Sequence, residues 1–156
     1  MRNLISKMNI AYLDANFLID WLIRKSPNLK KRARILLAKL LAQFDVLAIS
    51  PLAVDESWRV IQKEMFPSKS YADGMLSSEV EIFTEHILNY SKIKIVQFQN
   101  PESGIKDALY RLKTFSLQPR DSFHLAMMRD NNITVMVSRD DGLIKRQSLL
   151  GISIFS

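Results

Sequence analysis

Short apolar runs recur along the chain and alternate with longer segments in which apolar residues are three or four positions apart. Uninterrupted short runs are typical of strands buried on both faces of a parallel sheet, whereas the longer spacing is that of amphipathic helices. The alternation predicts an α/β fold, a three-layer α/β/α sandwich with a central, mostly parallel sheet of about five strands. The predicted strands are residues 10–13, 46–50, 92–98, 133–138 and 152–156.

Helices are predicted in the intervals between these strands. The first begins near Asn16; Ser26 can cap the second, and Pro27 suits its first turn. The helix after the second strand is expected to end near Pro67. The remaining helical patterns cover residues 77–90, 102–115 and 118–131, and residues 139–150 predict a short helix or turn.

The length of 156 residues fits a single domain over residues 1–156, in which residues 1–8 are a candidate disordered extension and Met8 an alternative start. No apolar stretch reaches the roughly 18 residues of a membrane span, and the first residues lack the pattern of a signal peptide. The absence of cysteine excludes disulfides, thiolate metal sites and cysteine nucleophiles. It agrees with a cytoplasmic location, which is the one expected.

The chain is basic, with 22 Lys and Arg against 16 Asp and Glu, a formal net charge of +6. Basic side chains release counterions from phosphates, so this balance favours a polyanionic partner such as RNA.

Four acids fall where parallel sheets build their sites, beyond the carboxyl ends of the strands. Asp14 ends the first strand, and Glu56 lies in the second turn of the helix that follows the second strand. Asp121 lies in the first turn of its helix, and Asp140 follows the fourth strand. These four side chains are expected to converge at one edge of the sheet.

Convergence of carboxylates needs a counter-charge, because two charges about 4 Å apart repel by roughly 4 kcal/mol at an effective dielectric constant near 20. Oxygen ligands without cysteine suit Mg²⁺ or Mn²⁺ better than Zn²⁺. Such a metal on a basic protein predicts hydrolysis of phosphodiester bonds, since it acidifies an attacking water and neutralises phosphate charge.

Each of these acids also has a purely structural explanation. Asp14 and Asp140 can cap helices, Asp121 can face a helix dipole, and Glu56 can be a solvated helix acid. The coincidence of four such positions favours the metal site. Asn16 and Ser138 are predicted to support it through hydrogen bonds to Asp14 or to a metal-bound water.

Several neighbouring residues keep two interpretations open. His124 follows Asp121 by three positions and is predicted to be a packed core residue. Arg120 and Arg139 either grip an RNA backbone or pair with other carboxylates. The basic run from Arg24 to Arg34 is either a solvated face or a phosphate track. The core is predicted to include Trp21, Trp58, Met127, Met128 and Met136.

The acids lie within four segments, YLDANFLID, SPLAVDESWRVI, LQPRDSFHLAMM and ITVMVSRDDGL, in that order. In these segments the chain resembles PIN-domain ribonucleases, over residues 9–156. Its size and charge resemble the toxin branch, the VapC-like toxins, which cut RNA and are held inactive by a small antitoxin. The resemblance implies Mg²⁺ or Mn²⁺ bound by Asp14, Glu56, Asp121 and Asp140. The partners expected are RNA, an antitoxin and a second copy of the chain.

One position departs from the family pattern, which often has a further acid two residues beyond the last one. Gly142 stands there, Leu143 replaces an aromatic residue and Ser138 replaces threonine. The departure argues against a second, tightly held metal ion.

Two other functions remain as alternatives. A non-catalytic RNA-binding or scaffold module of the same fold would have no need of the four acids. A phosphatase of the haloacid-dehalogenase type would need an aspartate two residues after Asp14, where Asn16 stands.

Overall fold

The computed structural model describes residues 8–65 and 75–156 of the chain. Its strands are β1 (Ile10–Leu13), β2 (Val46–Ile49), β3 (Ile93–Ile95), β4 (Val135–Val137) and β5 (Ser153–Phe155). Its α-helices are α1 (Ala15–Leu18), α2 (Pro27–Gln43), α3 (Pro51–Met65), α4 (Met75–Asn89), α5 (Pro101–Phe115), α6 (Pro119–Asp130) and α7 (Asp141–Leu150). A π-helical segment, Ile19–Ile23, continues α1.

The strands form one parallel sheet in the order β3-β2-β1-β4-β5. The central strand β1 lies between β2 and β4, with Leu13 beside Val137. The backbone N–H of Asp14 donates to the carbonyl of Val137 at 3.1 Å, which fixes the two strand ends side by side. The residues that follow β1 and β4 therefore meet at one edge of the sheet.

Side chains that alternate along the strands pack into two separate hydrophobic cores, one on each face of the sheet. Leu13, Leu47 and Ile49 pack with α1 to α4 on one face. Tyr12 and Met136 pack with α6 and α7 on the other. Helices thus cover both faces, and the predicted α/β/α sandwich with a five-stranded parallel sheet is confirmed.

Four of the five predicted strands are shorter in the structure, and the third and fourth differ most. The third stops at Ile95, because β2 ends at Ile49 and the last ladder bond runs from Val96 N–H to the Ile49 carbonyl, 2.8 Å. The fourth starts at Val135, because the N–H of Ile133 is held by the end of α6.

The prediction that both tryptophans are core residues is half wrong. Trp21 is buried, whereas the Trp58 side chain is 40% exposed and its indole N–H donates to Thr84 Oγ1 at 3.0 Å. Met127, Met128 and Met136 are buried as expected. The expectations for residues 1–7 and for Pro67 lie outside the described residues. Within the described ranges, no helix has the length and apolarity that a membrane crossing requires.

Candidate functional site

Asp14 is the first residue after β1 and the N-cap of α1. Its carboxylate is buried and accepts three hydrogen bonds: from the Ala15 N–H at 2.7 Å, from Asn16 Nδ2 at 2.7 Å and from Ser138 Oγ at 2.7 Å. The last two bonds share Oδ2. A carboxylate offers about four acceptor positions, so Asp14 keeps room for one more ligand.

Asn16 and Ser138 join the ends of β1 and β4 around Asp14. Besides its bond to Asp14, Asn16 Nδ2 lies 3.0 Å from Ser138 Oγ, and Ser138 Oγ accepts from the Asp140 N–H at 3.1 Å. The supporting role predicted for these two residues thus has a geometric basis in their bonds to Asp14.

Asp140 caps α7, because its Oδ1 accepts from the Leu143 N–H at 2.9 Å. A side chain at position 142 would crowd this carboxylate, since a Cβ built on Gly142 lies 3.0 Å from Asp140 Oδ1. Glycine at the departure from the family pattern therefore leaves space beside Asp140.

Asp121 lies in the first turn of α6 and is partly buried. Burial raises its pKa, and the negative charges of Asp140, Asp14 and Glu56 raise it further. Burial also raises the pKa of Asp14, against the lowering effects of His124 and Ser138. The charges of the other three predicted acids therefore act on Asp121, although all four come from separate segments of the chain.

Glu56 is held by a hydrogen bond to His124, whose Nε2 lies 3.0 Å from Glu56 Oε1. The imidazole Nδ1 lies 2.6 Å from the Tyr12 hydroxyl, which lies 2.6 Å from Ser50 Oγ. Burial raises the pKa of Tyr12, so this hydroxyl keeps its proton and can donate. A histidine with its hydrogen on Nε2 then donates to Glu56 and accepts from Tyr12.

The prediction that His124 is a packed residue is confirmed, since it is 2% exposed. It also belongs to the site, with Nε2 4.0 Å from Asp14 Oδ1. The available signal was its spacing, because positions three apart lie on one helix face and His124 follows Asp121 by three. No sequence pattern predicted that Tyr12 contacts His124 or that Ser50 contacts Tyr12.

Arg120 and Arg139, for which two roles were left open, have different partners in the structure. Arg139 pairs with the buried Asp20, with Nε 2.6 Å from Oδ2 and a terminal nitrogen 3.2 Å from Oδ1. Arg120 lies 3.7 Å from Glu56 Oε2 and is about half exposed. Both therefore approach carboxylates, and Asp20 is a functional candidate that the sequence reasoning missed. An acid inside the apolar run FLIDWLI was the signal.

The donor chemistry of the site fits a hard divalent cation. Its acids offer oxygen ligands. Burial raises the pKa values of Asp14 and Asp121 most, and neighbouring carboxylates raise them further, so a cation would neutralise charges that are costly to bury. Their present positions are set by protein partners, and across residues 8–65 and 75–156 no three acidic or histidine side chains form a ready-made metal cage.

A family profile described as PIN domain matches residues 11–148 of the chain. No curated protein matches the sequence of this chain.

Solved structures share the fold at low sequence identity. VapC20 from Mycobacterium tuberculosis, a sarcin-ricin loop cleaving toxin, has a TM-score of 0.65 at 12% identity, covering 91% of this chain and 95% of that one. FitAcB from Neisseria gonorrhoeae has a TM-score of 0.59 at 17% identity, covering 94% and 96%. A toxin-antitoxin complex from Klebsiella pneumoniae has a TM-score of 0.57 at 16% identity, covering 85% and 89%. At these identities the likeness establishes the fold.

Proposed function

The chain belongs to the PIN domain family, and on that premise we propose that it is a metal-dependent endoribonuclease that hydrolyses RNA phosphodiester bonds. The observation that carries the proposal is the meeting of acids from separate segments at one edge of the sheet. His124 Nε2 lies 3.0 Å from Glu56 Oε1 and 4.0 Å from Asp14 Oδ1, and Ser138 Oγ bonds both Asp14 Oδ2 and the Asp140 N–H. The charges of these three acids also raise the pKa of Asp121. Four acids from separate segments, crowded at an edge where parallel sheets bind ligands, fit a cation far better than four independent structural roles.

In this proposal the four carboxylates hold Mg²⁺ or Mn²⁺, and Asn16 and Ser138 position Asp14 through the bonds to its Oδ2. The bound cation would activate a water and neutralise phosphate charge. Arg120, near Glu56 and half exposed, is placed to contact a phosphate at the mouth of the site.

Glu56 is the acid whose orientation depends most on another side chain. The His124 hydrogen bond holds Oε1, while Oε2 faces the exposed Arg120. Such outer contacts fix the direction of a ligand and are needed for full metal affinity.

We further propose that the enzyme is the toxin of a toxin–antitoxin pair and acts in the cytoplasm as a single domain. The likeness to the Klebsiella toxin-antitoxin complex and to the VapC20 toxin supports this partner class. A homodimer is also expected, and exposed apolar residues on α5, Ile105, Leu109 and Tyr110, support it. The molar mass in solution checks this expectation.

Cleavage of structured RNA by the purified protein tests the proposed activity. We expect cleavage with Mg²⁺ or Mn²⁺, and its loss in EDTA, because the crowded carboxylates need the cation. Asp121→Asn should lower the rate at least about 100-fold, which excludes a contaminating nuclease as the source. Full activity in EDTA would rule out the carboxylate–metal mechanism.

A non-catalytic RNA-binding module of the same fold is the alternative. It predicts that RNA binds but is not cleaved with any divalent cation, and that Asp121→Asn leaves binding unchanged.

A further inference from the structure

A cavity of about 410 Å³ opens next to Asn16 and Ser138, the two side chains that bond Asp14, between α2 and the ends of β4 and β5. Its volume lies in the range of roughly 300–1,000 Å³ that is usual for small-ligand sites. One wall is apolar and includes Phe17, Leu36 and Val137. That wall offers a flat, aromatic or heterocyclic group a place out of water.

The cavity adjoins Asp14 of the candidate active site. Asn16 and Ser138 line the cavity, and the same two side chains donate to Asp14 Oδ2. A ligand that fills the cavity is therefore separated from this carboxylate by one layer of side chains.

The rim of the cavity is positively charged. Arg32 and Lys39 extend from α2 with exposed side chains, and Arg139 lies opposite them at the end of β4. The lining also contains two negative groups. Asp20 is buried and engaged with Arg139, and Ser156 carries the terminal carboxylate. Three basic side chains against these two groups leave a small excess of positive charge, which suits a phosphate.

Asp20 also fixes the direction of Arg139. It receives two nitrogens of the guanidinium, at 2.6 and 3.2 Å, while about half of the arginine side chain stays exposed. The remaining N–H groups are held ready for a second anion, with less loss of side-chain entropy on binding.

We propose that this cavity is a nucleotide subsite that receives the RNA residue next to the scissile phosphate, with the base against the apolar wall and its phosphate between Arg32, Lys39 and Arg139. The proposal rests on the proposed function for the identity of the substrate as RNA. It adds a place where the enzyme grips one flanking nucleotide, separate from the carboxylates that perform the cleavage.

The chain provides a matched pair of variants for the test. Arg32 and Lys39 line the cavity, whereas Lys94 and Lys113 are exposed on β3 and α5 and do not line it. The double variants R32E/K39E and K94E/K113E change the net charge of the protein by the same amount. They differ in whether the reversed charges face the cavity.

The measurement is the dissociation constant for a single-stranded RNA oligonucleotide in EDTA, at fixed salt, with the melting temperature as a check of folding. We expect R32E/K39E to weaken binding at least about 10-fold and K94E/K113E at most about 3-fold, since only the first pair meets the bound phosphate. Equal losses in both variants would overturn the proposal, because they would reflect the net charge of the protein alone.

A second arm tests the apolar wall. Replacing the bases of the oligonucleotide by abasic sites should weaken binding to the wild-type protein at least about fivefold, the scale of one lost base contact. R32E/K39E should still weaken binding of the abasic oligonucleotide more than the control variant does, because the phosphates remain. No loss with the abasic oligonucleotide would overturn the base-binding part of the proposal.

These outcomes are distinct from a failure of the proposed nuclease function. If the protein cleaves RNA with metal and both variants lose RNA affinity equally, the nuclease proposal stands and the subsite proposal fails. If only R32E/K39E loses RNA affinity and no metal supports cleavage, the subsite proposal stands and the protein is an RNA-binding module. Unchanged RNA affinity in R32E/K39E would also overturn the subsite.

Discussion

Asp14 shows how one residue combines a structural and a chemical role. It caps α1, as the structural interpretation predicted, and it also lies among the acids of the site. Its pKa is raised above the ordinary value of 3.8, chiefly by burial. The folded protein therefore binds this proton more tightly than the unfolded chain, and the charge costs stability once the pH exceeds the raised value.

Asp14→Asn should abolish cleavage while leaving the metal-free protein as stable as the wild type or more so. The substitution removes a buried charge and its repulsion from Glu56 and Asp121. The side-chain oxygen of the new asparagine can still accept from the Ala15 N–H. Its NH₂ group then faces Asn16 Nδ2, also a donor, so the Asn16 amide must rotate. Thermal unfolding at neutral pH in EDTA measures the effect. A clear fall in melting temperature would make Asp14 primarily a structural cap.

Asp140 and Asp141 are adjacent acids that the site geometry separates. The charge of Asp140 raises the pKa of Asp121, and Asp141 has no such effect. Asp140→Asn should lower cleavage at least about 100-fold, the scale of losing a group that orients metal or water. Asparagine caps helices as well as aspartate does, so the bond to Leu143 N–H survives and α7 stays intact.

Asp141→Asn is the matched control, because it removes the same charge one residue further along. Asp141 is exposed and projects about 100° away around the helix, so its loss should cost less than about 10-fold. Initial cleavage rates of both variants under saturating Mg²⁺ decide the matter. Equal losses would mean that Asp141 performs the role of the acid that Gly142 lacks.

Residue identity and local position were enough to place the six candidate residues near strand ends or in the first two turns of helices, and their roles in the site stay predictions. The pairing of His124 with Glu56 and of Arg139 with Asp20 could not be predicted in this way. These contacts join residues 68 and 119 positions apart, and only the packing of the folded layers sets such distances.

At the scale of elements, the apolar pattern located the strands and most of the helices because burial on both faces of the sheet leaves an uninterrupted apolar signature. It missed the π-helical segment Ile19–Ile23, whose residues have the composition of an ordinary helix. This segment carries Asp20, and its ion pair with Arg139 links the helix to the residue that follows β4 and Ser138.

Asp20→Asn should lower the free energy of unfolding by about 1–3 kcal/mol, because it leaves Arg139 without its ionic partner beside a buried amide. The exposed pair of Asp55 and Arg59, with 3.0 Å between Oδ2 and Nε, provides the control. Asp55→Asn should cost at most about 0.5 kcal/mol, as exposed pairs within one helix do. Urea unfolding of both variants measures the difference. Equal small losses would show that the Asp20 pair contributes no more than a surface contact.

At the scale of the whole molecule, the net charge of +6 is distributed unevenly. Six basic residues lie from Arg24 to Arg34, and they fall on different parts of the surface. Arg24 pairs with Glu64 at 2.9 Å, while Arg32 faces the cavity beside the site. Lys25, Lys30, Lys31 and Arg34 line a separate depression along the start of α2. A continuous path for an RNA backbone can therefore run along α2 towards the acids.

The salt dependence of RNA binding tests this path. Each basic residue that contacts a phosphate of a single strand adds about 0.7 to the slope of log K against log salt concentration. Replacing Lys30, Lys31 and Arg32 together by alanine should therefore reduce the slope by about 2, measured by titration in EDTA at several salt concentrations. The triple replacement of Lys94, Lys106 and Lys113, which are exposed on β3 and α5, removes the same charge elsewhere and should leave the slope almost unchanged. Equal slopes in the two triple variants would mean that the basic face of α2 is only solvated and that net charge alone attracts the RNA.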